Sequence, residues 1–289
     1  MASGQLAACL KTGAAIMFRI LVISLLLLSA PAQAVAQSEK LWNLCEGDDA
    51  DAVISACTRL LKSGKLDNYD RSVAYNNRGI AYRQKGDYDR AIADYDKAIK
   101  LDPKDAKAYF NRGLTYGDKG EYDHAIADYD RAIKLDPKDA DAYFNRGMTY
   151  DDKGEYDRAI ADYDKAIKLD PDDADAYYNR GLAYREKGEY DRAIADYDKA
   201  IKLNPKDPDA YNNRAWSYFK WGKAEQGLPD ANKALELDAK DADSYDTRAH
   251  IYEVMGQKDK AISDYRKALE LDPSMEESKE GLKRLTAAP

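Results

Sequence analysis

The chain has 289 residues, 34% charged and 44% hydrophobic, with a formal net charge of −8 and a sequence pI near 5.1. That balance suits a folded soluble protein and excludes a disordered one. The acidic total argues against a nucleic-acid partner, which calls for a basic stripe. The hydrophobic share leans on Ala and Tyr, with only 4 Phe and 3 Trp, a palette for thin helix-on-helix packing.

The N-terminus differs in character from the rest. Lys11 and Arg19 precede an apolar run, Ile20 to Leu28, and small residues follow at Ser29, Ala30, Ala32, Ala34 and Ala36. This is the order of a secretory signal peptide. Residues 1–36 are read as one, with cleavage after Ala34 or Ala36 and an alternative true start at Met17, from which the signal would still be complete. The competing reading is a retained membrane anchor, but the run falls short of the ~20 residues a span needs. The expectation is a periplasmic or secreted protein with no stable membrane insertion once the signal is removed. Cys9 would leave with the signal. Cys45 and Cys57 remain, twelve residues apart. In an oxidising compartment they are expected to form a disulfide, worth about 2–4 kcal/mol; the alternative is two buried free thiols.

Residues 37–71 read as a degenerate helical cap. Val53, Ile54, Cys57, Leu60 and Leu61 recur at helical spacing, and Gly64 is placed to end that helix in a left-handed turn. The connection Leu66 to Ser72 is about four residues longer than the following period allows. From there the chain repeats: Pro103, Pro137, Pro171, Pro205 and Pro273 lie on one 34-residue ladder, with Ala239 on the missing rung. A fixed period of this size marks a stacked array. The units are 72–105, 106–139, 140–173, 174–207, 208–241 and 242–275. In each, a first helix carries an aromatic, a small residue and a second aromatic, as at Tyr75, Gly79 and Tyr82. A Lys-Gly-acid turn follows, at Gly86, Gly120, Gly154 and Gly188. A second helix then buries Ala91, Ile92, Tyr95, Ala98, Ile99 and Leu101 along one stripe. Asp102-Pro103 stops it, because a residue before proline is steered out of the helical region.

Tyr75, Gly79, Tyr82, Ala91, Tyr95, Ala98 and Pro103 fill the places of the tetratricopeptide-repeat pattern, which this unit resembles. The resemblance implies an all-α fold: a right-handed superhelical solenoid of antiparallel helix pairs, with the first helices lining a concave groove. It covers the six in-phase repeats, between the N-terminal cap and a C-terminal capping helix and tail over 276–289. Two departures stand out. Where the family has Leu before the small residue, this chain has Arg78, Arg112, Arg146, Arg180, Arg214 and Arg248. Each Arg either pairs with a second-helix Asp such as Asp94 or Asp128, as an exposed pair worth under ~1 kcal/mol, or lays its stem over the helix pair. In the fifth unit Ala224, Gly227, Pro229 and Ala231 replace the usual residues. Proline inside a helix costs ~3 kcal/mol, so that helix is expected to start late, with Pro229 in its first turn. At the C-terminus Ser274 is expected to cap a helix from Met275 to Leu285.

No catalytic constellation is present. His124 takes the slot held by Arg90 and Arg158, on a solvated face, and His250 has no Cys or second His beside it. The Asp-x-Asp strings sit on helices and not on a calcium loop. No metal, no cofactor and no enzymatic activity are expected. What remains is the groove. Asn77, Asn111, Asn145, Asn179 and Asn213 recur once per unit, two residues after the first aromatic. An Asn can bond a peptide unit through both its oxygen and its NH2. The ladder resembles the asparagine ladder in the superhelix of O-linked N-acetylglucosamine transferases, although no transferase domain follows. Alternatively these residues satisfy local backbone groups. Phe110, Phe144 and Tyr178 precede three of them, and Leu114, Met148, Leu182 and Trp216 lie on the same face. Asp118, Asp141, Asp151, Asp152, Asp175 and Glu186 surround the centre. These features favour a protein or peptide partner, extended, basic and apolar. The function expected is a protein–protein interaction scaffold; a structural or self-associating spacer, or a subunit accompanying an enzyme, are the alternatives.

Overall fold

The structure, a computed structural model, describes residues 38–287. The leader expected over 1–36, with Cys9, and the last two residues of the tail lie outside the described residues. Among the described residues every regular element is an α-helix. They divide into two compact units, one ending at Lys119 and one starting at Gly120.

The first unit holds α1 (38–45), α2 (Ala50–Lys62), α3 (Asn68–Gln84), α4 (Tyr88–Leu101) and α5 (Ala106–Asp118). Cys45 and Cys57 are joined by a disulfide inside a cluster with Val53, Ala56, Leu60, Ala74 and Ala81. Gly64 ends α2 at φ +68°, a backbone state that glycine reaches without steric cost. The expected connection from Leu66 to Ser72 is shorter than the spacing implies. Asp67 accepts a hydrogen bond from the Asp70 N–H and starts α3 at Asn68, so the extra residues lengthen the helix to 17 residues instead of forming a loop.

The second unit holds α6 (Tyr122–Leu135), α7 (Ala140–Asp152), α8 (Tyr156–Leu169), α9 (Ala174–Glu186) and α10 (Tyr190–Leu203). It continues with α11 (Pro208–Lys220), α12 (Ala224–Leu237), α13 (Ala242–Val254), α14 (Lys258–Leu271) and α15 (Glu276–Thr286). Consecutive helices pack as pairs. Asp139, Asp173, Asp207 and Asp241 each cap a first helix by accepting from backbone N–H groups just inside it. Gly154, at φ +72°, turns the chain between α7 and α8. The pair then closes on a ring: a Cβ on Gly147 would lie 2.8 Å from Cε1 of Tyr163, so only glycine leaves that ring, wholly buried, in its present place.

The arginines before the small residues are not surface pairs. Arg146 donates from Nε and Nη2 to both oxygens of Asp162 at 2.7 Å, and from Nη1 to Asp130 of the preceding second helix. Arg180 and Arg214 repeat the arrangement on Asp196 with Asp164, and on Asp230 with Asp198. Arg248 forks on Asp264 and reaches Asn232. In the first unit Arg78 forks on Asp94 and donates to Thr58. Only 8% of the Asp162 side chain is exposed. Tyr143 and Tyr150 lie on either side of the Arg146 guanidinium, 5.7 and 5.9 Å to their centroids. Burial opposes the arginine's charge, but the bonds and attraction from Asp162 and Asp130 outweigh it and raise the Arg146 pKa. The value of an exposed pair therefore does not apply to these five; each of them ties its own helix pair to the one before.

Two further expectations are corrected. The helix carrying Pro229 does not start late: α12 begins at Ala224 and runs through the proline. Asp230 must reach Arg214, and Gly227 lets α12 come against α11 so closely that a Cβ there would lie 2.7 Å from the Ala215 carbonyl oxygen. Those tertiary contacts hold the helix at its usual start. Ser274 does not cap α15 either. Its hydroxyl donates to Asp272, and Met275 occupies the cap position without a side-chain bond.

Candidate functional site

The predicted site residues fall on the first helices of the repeats. In the first unit Asn77 lines a cleft of about 360 Å³ with Cys45, Val53, Val73 and Ile80. Asn111 donates from Nδ2 to the Asn76 Oδ1 at 3.0 Å, while Phe110 and Leu114 are half-buried on α5.

In the second unit the asparagines carry a common bond. Asn145, Asn179 and Asn213 each donate from Nδ2 to the carbonyl four residues earlier, of Asp141, Asp175 and Asp209, at 2.8–2.9 Å. The NH2 half of these side chains is thus used inside the helix, as the local alternative has it. The Asn213 Nδ2 also donates to Tyr178 Oη, and its Oδ1 accepts from Arg185. Phe144 and Tyr178 are half-buried and each lies 5.9 Å, centroid to centroid, from the buried tyrosine of its own repeat, Tyr163 or Tyr197. Leu182 packs on the same core, whereas Met148 is 40% exposed. Trp216 sits against Phe219 at 5.1 Å and, edge-on, against His250 at 5.5 Å.

Some of these residues come together in a place the pattern did not single out. A cleft of about 380 Å³ opens between α9, α11, α13 and the start of α15. Tyr178, Trp216 and Met275 supply apolar surface; Asp209, Asp241, Asp243, Asp246 and Glu277 supply charge, with Arg185 as the one cation of the lining. Burial, and then neighbouring carboxylates, push Asp209 and Asp243 above the ordinary carboxylate range. Mutual repulsion of that kind is relieved by a cation entering the cleft. The sequence shows these acids, but four of them stand at helix starts, Asp241 as a cap and Asp209, Asp243 and Glu277 in the first turn, where the helix dipole explains them; only the packing brings them around one opening. Among the described residues no group of His, Cys, Asp and Glu is arranged to hold a metal ion, and no helix is long and apolar enough to cross a membrane. His250 is enclosed by rings: Trp216, Phe219 and Tyr265 lie within 5.5 Å of it, centroid to centroid, and its Nδ1 faces Asp246.

A stack of two-helix units that presents one helix of each pair to a common cleft defines a helical-repeat interaction protein. Family models described as tetratricopeptide repeat match residues 110–174, 144–208, 178–246 and 244–275, and one described as TPR repeat matches 79–120. The chain belongs to the tetratricopeptide-repeat family. Among solved structures it is similar to MamA protein, with 34% identity, 59% of this chain and 93% of that one covered, and a TM-score of 0.56. It is also similar to YrrB, whose structure is described as a TPR protein with an unusual peptide-binding site, at 25% identity over 65% of this chain and 97% of that one, TM-score 0.57. The C-terminal part of a TPR repeat-containing protein from Cytophaga hutchinsonii shares the fold, at 24% identity, 85% and 99% coverage and a TM-score of 0.69. A search of the curated proteins found no match.

Proposed function

We propose that the protein is a non-enzymatic scaffold that holds an extended, basic and apolar segment of a partner protein along the first-helix face of its repeats. The observation that carries this reading is the cleft of about 380 Å³, with five carboxylates set around Trp216 and Tyr178. Repelling acids beside aromatic surface fit lysine or arginine side chains spaced by apolar ones. The Oδ1 atoms of Asn145 and Asn179, whose NH2 groups are engaged, are acceptors for backbone N–H groups of the bound segment. YrrB, 25% identical, supports the same class of ligand through its described peptide-binding site. The proposed place of action is outside the cytoplasm, on the strength of the signal-like order of residues 1–36 and the Cys45–Cys57 disulfide; fractionation of cells expressing the full chain checks it.

The test is a peptide-array screen followed by titration of the best peptides. Trp216→Ala and Asn145→Ala are expected to weaken binding about tenfold or more, the range of an interface anchor. If neither variant changes affinity, the groove reading fails and a spacer or self-associating array takes its place.

A further inference from the structure

Asp151 lies in the last turn of α7, with one carboxylate oxygen buried and without a hydrogen-bond partner. The hydroxyl of Tyr163 is likewise buried and unpartnered, on a residue that is 0% exposed. It lies within the field of Asp151 and Asp152: burial first, and then those two charges, push the tyrosine's pKa up. The cation whose charge bears on Asp151 is engaged elsewhere, since Arg185 donates to Glu186 and Asn213.

The Tyr95 and Tyr197 hydroxyls are buried and unpartnered as well; what sets the third repeat apart is the carboxylate, because two equivalent positions that carry a charge are neutralised. Three periods on, Glu253 and Tyr265 stand where Asp151 and Tyr163 do. Tyr265 donates to Glu253 at 2.6 Å, and Arg284 of α15 forks onto the same carboxylate at 3.0 and 3.1 Å. Leu182 holds the place corresponding to Arg284 and brings no charge. In the first repeat the counterpart of Asp151 is Arg83, which pairs with Asp118 at 2.6 Å. The counterpart of that Asp118 beside Asp151 is Glu186, whose charge bears on Asp151. Where the first repeat sets a guanidinium against an acid, the third sets acid against acid.

We propose that Asp151, with Tyr163 and Glu186, forms a receptor site for an arginine side chain carried by the bound partner segment. The assignment rests on the groove reading above, which brings the partner to this face. A guanidinium supplies several donors in a planar fork, so it can serve Asp151 and Glu186 together and complete the arrangement that Arg284 makes with Glu253. Its apolar stem has Phe144 and Leu182 to lie on. The site is sensitive to pH. Burial, then Asp152 and Glu186, with Arg185 opposing, push the Asp151 carboxyl up to about 6, so the receptor is charged at pH 7.5 and mostly neutral at pH 5.

The test compares, on the full chain, capped pentapeptides with a central arginine, lysine or citrulline between leucines, together with N-acetyl-arginine amide. Affinity is measured at pH 7.5 and pH 5, and the Asp151 carboxyl is followed by NMR. The arginine peptide is expected to bind about tenfold tighter than its citrulline counterpart at pH 7.5, a difference of about 1.4 kcal/mol. The preference shrinks at pH 5 and disappears in Asp151→Asn. Leu182→Arg, which supplies the guanidinium from within, is expected to abolish the preference and to lower the Asp151 pKa without ligand. Equal affinity for arginine and citrulline peptides, still weakened by Trp216→Ala, overturns the receptor and leaves the groove reading standing. A shift of Asp151 by arginine amide without any peptide binding does the reverse. Lysine binding as tightly as arginine overturns the guanidinium assignment, and no response to any probe overturns both.

Discussion

Residues 140–173 and 208–241 build the same helix pair in opposite ways. In the first, the small residue is on the first helix: Gly147 makes room for the Tyr163 ring of the second. In the other, it is on the second helix: Gly227 admits the Ala215 backbone of the first, and Ala231 stands where the tyrosine would be. The space the ring would fill is taken from the other side, by Phe219, Leu228, Ile251 and Met255. What the two repeats share is the arginine fork, Arg146 on Asp162 and Arg214 on Asp230. The packing partner is exchangeable; the ionic joint is not exchanged in either.

The largest effect tests that common joint. Arg146→Leu restores the family's residue but leaves Asp162 buried without its partner, and is expected to cost about 3–5 kcal/mol. Arg214→Leu should cost the same within about 1 kcal/mol, since Asp230 is similarly enclosed, at 12% exposed against 8%. Urea unfolding of both variants measures this. Losses below about 1 kcal/mol would return these arginines to the class of surface pairs. Replacing Asp162 as well, with Leu, should recover much of the Arg146→Leu loss.

The ring exchange gives a comparable effect in one repeat only. Tyr163→Ala empties a fully buried site and should cost about 3–4 kcal/mol. Ala231→Tyr inserts a ring where α12 already touches the α11 backbone, so it should also destabilise, by about 1–3 kcal/mol. A stabilising Ala231→Tyr would mean that the fifth repeat is a worn copy of the third and not an alternative packing.

Pro229 comes next. It removes one helix hydrogen bond from an exposed position of α12, so Pro229→Ala is expected to stabilise by about 2 kcal/mol. Amide exchange in the natural chain should be faster in α12 than in α8, and the substitution should bring the two together. Uniform exchange across both helices would contradict this.

Much of this architecture was legible beforehand. The turn glycines and the Asp-Pro stops are local signals, each acting within a few residues of itself, and the 34-residue ladder repeats them; the Asp caps of the first helices were not read. The misreadings share one cause. Whether α12 starts at Ala224 or later, and whether an arginine is exposed or enclosed, depends on the neighbouring helix, and periodicity carries no information about distance between helices. The asparagine ladder was visible as a column of identical residues, but not that its NH2 groups turn back on their own helix. Asp151 was legible as one acid among several on a rim. Its burial beside an unpartnered tyrosine emerges only when Leu182 is seen to stand where Arg284 stands later.

The smallest effects separate the two regions by pH. The Asp151 carboxyl is raised to about 6, above the ~3.9 of an unfolded chain, so its charged form weighs against the fold. That penalty is absent below about pH 4, grows as pH rises to 6 and is constant above. With the partial exposure of the site taken into account, Asp151→Asn should stabilise by about 1 kcal/mol at pH 7.5 and by nothing at pH 3.5. His250, on α13 of the sixth repeat, where it packs against Trp216 and Phe219 of the fifth, also has a raised pKa: burial lowers it, but the bond and charge of Asp246 outweigh that. Its contribution is therefore fully present below its unfolded value of about 6.5 and lost as pH climbs through the folded one. Both titrations reduce stability as pH rises, in different windows and in different repeats. Melting temperature against pH should lose its lower slope in Asp151→Asn and its upper slope in His250→Gln. If either substitution flattens both slopes, the two repeats do not titrate independently, and the separation drawn between their packings is too sharp.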